Sequence, residues 1–204
     1  MIQLLMGGGW MMIPILGCSL VALTITIERG LQFRTLRVSH LADRMISLAR
    51  QGKFTDALAL AEQQPNPTLR VLAAGIHHRE QQPDKAMEAA GIAEVSRLKR
   101  GLPVLDTVVT LGPLLGLLGT IIGMISSFGI MAETGLGNPH AVTGGVAEAL
   151  ICTATGIGVA VITLIPYNFF LSLVERETER IEQFATQLQA ALGAKEKPTE
   201  RFNS

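Results

Sequence analysis

GGVAEALICTATGIGVAVITLIP, Gly144 to Pro166, carries one charged residue, Glu148, among small and apolar neighbours. No other charge occurs from Ala141 to Val174, a run longer than the ~20 apolar residues that span a bilayer as a helix. A carboxylate at that depth costs about 2.5–3.5 kcal/mol on insertion scales, so it is kept where it faces a bundle interior or a water-filled path. That points to a protein that handles ions rather than to an inert anchor. Working outward, Met1–Ile27 has no charge and Leu102–Ala132 has only Asp106. The chain therefore reads as an all-α integral membrane protein with three transmembrane helices, over 1–27, 102–132 and 141–174.

The bulk properties agree. Of 204 residues 48% are hydrophobic and the formal net charge is zero, with a mean hydropathy of +0.37, high for a soluble domain. The first apolar run lacks a basic lead-in and a small-residue cleavage site, so it is expected to stay as a helix rather than leave as a signal peptide. Cys18 and Cys152 both lie inside apolar runs and read as small core residues, with neither disulfide nor metal spacing.

Twelve of the 17 Lys and Arg fall in Glu28–Gly101, the other five follow Val174, and the turn 133–140 has none. Basic residues mark the cytoplasmic side. The expected topology puts the N-terminus and the short turn in the periplasm, with the 28–101 segment and the 175–204 tail in the cytoplasm. The 28–101 segment looks helical. Leu41, Met45, Leu48 and Ala49 recur at helical spacing up to Gly52, and Phe54–Gln63 makes a second helix stopped by Pro65-Asn66-Pro67. Thr68–Arg79 is a third, and Pro83-Asp84 can open a fourth towards Arg100. In the tail Ile181, Phe184, Leu188 and Leu192 form an apolar stripe against Glu177, Arg180 and Glu182, an amphipathic helix that continues the third span. Lys195–Ser204 reads as a frayed end.

The second span, GPLLGLLGTIIGMISSF from Gly112 to Phe128, spaces Gly112 and Gly116, then Gly119 and Gly123, four apart. The third answers with Gly144, Gly145, Ala149, Gly156 and Gly158. Small residues let membrane helices approach closely where no hydrophobic drive brings them together. Polar atoms fall into strips. Asp106, Pro113, Thr120 and Ser127 are seven apart and drift by only about 20° per step. Glu148, Cys152, Thr155 and Val159 share a face of the third span, and Thr153 lies roughly 140° off it. Such strips suit a hydrated or proton-conducting seam, although Ser and Thr hydroxyls also bond back to their own helix carbonyls. Asp106, close to Lys99 and Arg100, fits an interfacial anchor or a proton-access role equally well.

Gly112–Phe128 and GGVAEALICTATGIG, Gly144–Gly158, together resemble the MotA/TolQ/ExbB proton-channel family, with the three-span ExbB and TolQ nearer than the four-span MotA. Glu28-Arg29 resembles the end of the family's first helix. The resemblance puts Thr120 on the family's GLxGT threonine, Glu148 on its AEAL glutamate and Thr153 on the threonine that follows, all taken there as proton-path residues. The family's proline before its Tyr-Asn pair is replaced by Ile162 here, and Pro166 directly precedes Tyr167-Asn168. The resemblance implies a homo-oligomer, a pentamer, in the bacterial inner membrane. It would enclose an ExbD- or TolR-like single-span partner that carries a membrane aspartate, and drive a TonB- or TolA-like transducer. It further implies membrane lipids as surroundings, no nucleic acid, and no cofactor beyond the coupling proton.

Alternatives stay open. A TolQ-like part in envelope maintenance fits the same motifs. A non-conducting scaffold would use the glycines and have no need of Glu148. An enzyme would need a constellation better than His77-His78-Arg79-Glu80, whose adjacent histidines point about 100° apart on a helix; no phosphate loop or nucleophile arrangement appears. The hydroxyl-poor surroundings of Glu148 favour protons over sodium.

Overall fold

The computed structural model describes residues 9–33, 39–64, 66–134 and 139–193. The start of the first span (1–8), Pro65, part of the short turn (135–138) and the expected frayed end lie outside the described residues. All regular structure among the described residues is helical: α1 Met12–Phe33, α2 Ser39–Gln51, α3 Phe54–Gln63, α4 Pro67–His77, α5 Pro83–Lys99, α6 Leu102–Thr134 and α7 Pro139–Gly193. The three stretches long and apolar enough to cross a membrane lie in α1, α6 and α7. Two compact units result, one from residues 1–30 and 101–170, the other from 31–100 and 171–204.

In the second unit the breaks between helices come from local chemistry. Gly52 takes φ +83°, which lets its N–H reach the Ala49 carbonyl at 3.1 Å and the Lys53 N–H reach Leu48 at 3.0 Å. This double closure ends α2, and glycine adopts the required backbone without a Cβ penalty. The Asn66 side chain accepts from the Thr68 N–H at 2.9 Å and caps α4, with Pro67 in its first turn. The helices close over Met45, Leu69, Leu72, Ile76 and Met87, and the end of α7 adds Ile181, Phe184 and Leu188.

Polar groups tie this unit together. Glu94, 5% exposed, accepts from Arg70 at 2.6 Å and from Arg97 at 3.0 Å, joining α4 to α5. The Arg79 guanidinium lies 4.6 Å over the Phe54 ring, and His78 Nδ1 lies 3.0 Å from the Ala74 carbonyl. Glu177 departs from the expected polar side of the tail helix. It sits one turn before Ile181, on the same face, and is 8% exposed. Arg180 meets it at 2.8 Å. Burial pushes its carboxyl above the ordinary range, and Arg180 only partly offsets that.

The first unit has the opposite character. Leu20, Leu114, Ile125, Leu150, Ile162 and Phe169 are all exposed, which suits helices whose outer faces meet lipid or a neighbouring subunit. Its buried residues cluster where α1, α6 and α7 meet, around Met11, Ile15 and Cys152.

Candidate functional site

Four of the five glycines of α6, Gly112, Gly116, Gly119 and Gly123, face the small residues of α7 in antiparallel register. A Cβ on Gly112 would sit 2.8 Å from the Gly156 carbonyl oxygen, and one on Gly116 would sit 3.0 Å from Thr153 Cα. Further along, Gly119 lies against Cys152, and a Cβ on Gly123 would come 2.8 Å from that of Ala149. At Gly112 and Gly116 the helices touch backbone to backbone, and at Gly119 and Gly123 backbone meets the small side chains of Cys152 and Ala149, which is what small-residue spacing provides in a membrane.

Thr153 belongs to this seam. Its hydroxyl donates to the Gly116 carbonyl at 2.8 Å across the helix pair. The angular offset from Glu148 thus points Thr153 at α6, one helical turn before Thr120. The other hydroxyls turn inward on their own helices: Thr120 to Leu117 at 2.7 Å, Ser127 to Gly123 at 2.8 Å and Thr155 to Ile151 at 2.8 Å. Ser127 is fully buried and lies directly against Gly145, whereas Thr120 is half-buried and Asp106 exposed. Three heptad steps accumulate roughly 60° of drift. That drift turns Ser127 away from Asp106 and towards the glycine face that forms the seam, with Thr120 only one step, about 20°, behind it.

Glu148 is exposed on the isolated subunit and edges a cavity of about 290 Å³, whose wall includes Gly9, Gly119, Ser126 and Ser127. None of the ion pairs among the described residues includes it. Cys152, buried one turn away on the same face, packs with Met11 and Ile15. Asp106 is elsewhere. Its carboxylate lies near the Tyr167 hydroxyl, and Tyr167 lies 19 residues beyond Glu148 on α7, about 28 Å along a helix. The unit therefore places one acid near each end of its α6–α7 pair.

Two contributors carry no local signal in the sequence that marks them, Gly9 and Ser126, and Tyr167 is marked only by the family's Tyr-Asn pair. Gly9 belongs to a triple glycine, Gly7-Gly8-Gly9, and that run is the one cue available. Arg29, of the Glu28-Arg29 pair, is buried. It packs beside Gly101, whose φ is +83°, with its Nε 3.4 Å from where a Gly101 Cβ would stand.

Residues 63–183 match the MotA/TolQ/ExbB proton channel family. Among relatives, a Synechocystis protein named biopolymer transport protein ExbB-like 3 is 35% identical over 191 residues, covering 90% of this chain and 91% of its own. The biopolymer transport protein ExbB of Xanthomonas campestris is 30% identical over 178 residues, 76% of this chain and 70% of that one. The Tol-Pal system protein TolQ of Pseudomonas aeruginosa is 38% identical over 111 residues, 54% of this chain and 48% of that one. With three membrane-crossing helices and relatives across nearly its whole length, this multi-pass membrane protein belongs to the MotA/TolQ/ExbB proton channel family.

Proposed function

We propose that the chain is the proton-conducting subunit of an inner-membrane motor, in which proton flow does mechanical work on a partner and no covalent chemistry occurs. One observation carries this reading: a lone carboxylate, Glu148, edges a cavity on a helix pair whose seam is too tight to admit a side chain. A scaffold needs the seam and has no use for the carboxylate.

Glu148 takes up and releases the proton, and Thr120, Thr153, Thr155 and Ser127 supply hydroxyls along the rest of the path. Asp106, near Tyr167, serves the opposite end of the path. The basic segments put that end in the cytoplasm and the N-terminus in the periplasm. A proton crossing 100 mV releases about 2.3 kcal/mol, so several per cycle supply useful work. The absence of a described cation beside Glu148 fits a partner that brings its own acid: a single-span, ExbD- or TolR-like protein with a membrane aspartate, enclosed by a homo-pentamer of this chain. The ExbB names of relatives matched over most of their length favour a TonB-like transducer. A TolA-like output is the second reading, supported by the Pseudomonas relative.

The test is co-expression with a one-span genomic neighbour that carries a membrane aspartate, comparing gradient-driven output and assembly for wild type and Glu148→Gln. Intact assembly with lost output is expected. Retained output would leave the chain a scaffold.

A further inference from the structure

Gly9 lies just before α1. Its carbonyl accepts from the Met12 N–H at 3.1 Å, and the Trp10 carbonyl from Ile13 at 3.2 Å, so the chain enters the helix through a tight turn. Gly9 has φ +64°, in the left-handed region where glycine alone is free of a Cβ penalty. The space beside its Cα is taken. A Cβ there would fall on Glu148 Oε1 and lie 3.0 Å from Cδ and 3.6 Å from Cγ. The backbone conformation demands glycine, and a Cβ there would displace the end of the Glu148 side chain from its present place.

We infer that Gly9 is a positioning residue for Glu148: the turn before the first span forms a backbone shelf that holds the carboxylate at the cavity shared with Ser126 and Ser127. The inference rests on the proposed role of Glu148 for its importance, but the contact can be tested without ion flow. A group that must exchange protons works within a narrow geometric tolerance, and its orientation is set by whatever packs against its free end. Here that is main chain of the turn that leads into α1, which has no rotamer to exchange.

The experiment uses the full chain in native membranes and reads the rate at which dicyclohexylcarbodiimide modifies Glu148, by mass spectrometry of the labelled peptide across a pH series. Gly9→Ala is expected to change that rate by about threefold to tenfold, the effect of forcing one side-chain torsion off its staggered well. Gly17→Ala, on the same helix with nothing within 4 Å of its Cβ position, is expected to leave it unchanged. A wild-type labelling profile in Gly9→Ala overturns the inference. Should Gly9→Ala fail to accumulate, the shorter side chain of Glu148→Asp in the same chain is expected to restore accumulation, and no restoration also overturns it. Altered labelling in Gly9→Ala alongside unimpaired output in Glu148→Gln would uphold the shelf while removing the motor.

Discussion

Gly156→Ala tests the helix seam most directly. Its new Cβ would land on the Gly112 carbonyl oxygen, 3.0 Å from Gly116 Cα and 3.1 Å from Gly116 N. All three are main-chain atoms, so no rotamer change relieves the contact. Since such contacts are optimal at about 3.5–4.0 Å, α6 and α7 must part by roughly 1 Å at that level. The Thr153–Gly116 hydrogen bond, 2.8 Å long, is then stretched beyond useful length. Overpacking costs about 1–3 kcal/mol and the lost interhelical bond about 0.6 kcal/mol. Alanine's better helix propensity returns about 0.8–1.0 kcal/mol. The net loss is about 1–3 kcal/mol. Detergent-driven unfolding of the purified full chain in mixed micelles, followed by circular dichroism, measures it as an earlier midpoint. Gly158→Ala, two residues on with nothing within 4 Å, should show no loss. A wild-type midpoint for Gly156→Ala, or an equal loss for Gly158→Ala, would refute the seam as described.

Glu94→Gln removes the charge shared by Arg70 and Arg97, whose side chains are 39% and 69% exposed and can rehydrate. The expected loss is therefore about 1–2 kcal/mol rather than that of a fully buried pair, read as weaker hydrogen-exchange protection in α4 and α5; unchanged protection would count against the tie. The raised carboxyl of Glu177 means that the folded chain holds its proton more tightly than the unfolded chain does. Its contribution is thus fully present below the ordinary value of 4.5 and lost as pH rises through the higher folded value. Protection around residues 174–184 should fall across that window in wild type and not in Glu177→Gln. A fall of equal size in both would exclude Glu177 as its source.

How much of this was legible in the sequence depended on whether the signal was local. Gly52, Asn66, Pro67 and Pro83 punctuate the segment between the first two spans because each acts on its own backbone, and the helix limits follow them to within a residue or two. The spans were readable because so few charges interrupt them. Contacts set by a second helix were harder. Ser127 joined the seam because a heptad drifts, and Thr153 looked misplaced until α6 supplied its acceptor. Glu177 was grouped with polar neighbours although its spacing of four from Ile181 put it on the buried face. Nothing near Gly9 in the sequence reveals a carboxylate about 140 residues away, since that pairing exists only once α1 and α7 have packed.

A joint made of main chain has no alternative arrangements to switch between. Side-chain interfaces adapt by exchanging rotamers, which lets packed helices slide a little. Along Gly112–Gly123 and Gly145–Gly156 there is almost nothing to exchange, so α6 and α7 behave as a single stiff strut. Any relative movement must then be taken up on the strut's outer surfaces, where Leu114, Ile125, Ile162 and Phe169 lie exposed. Those branched and aromatic side chains can shear past lipid or a neighbouring surface while the spacing around Glu148 stays constant.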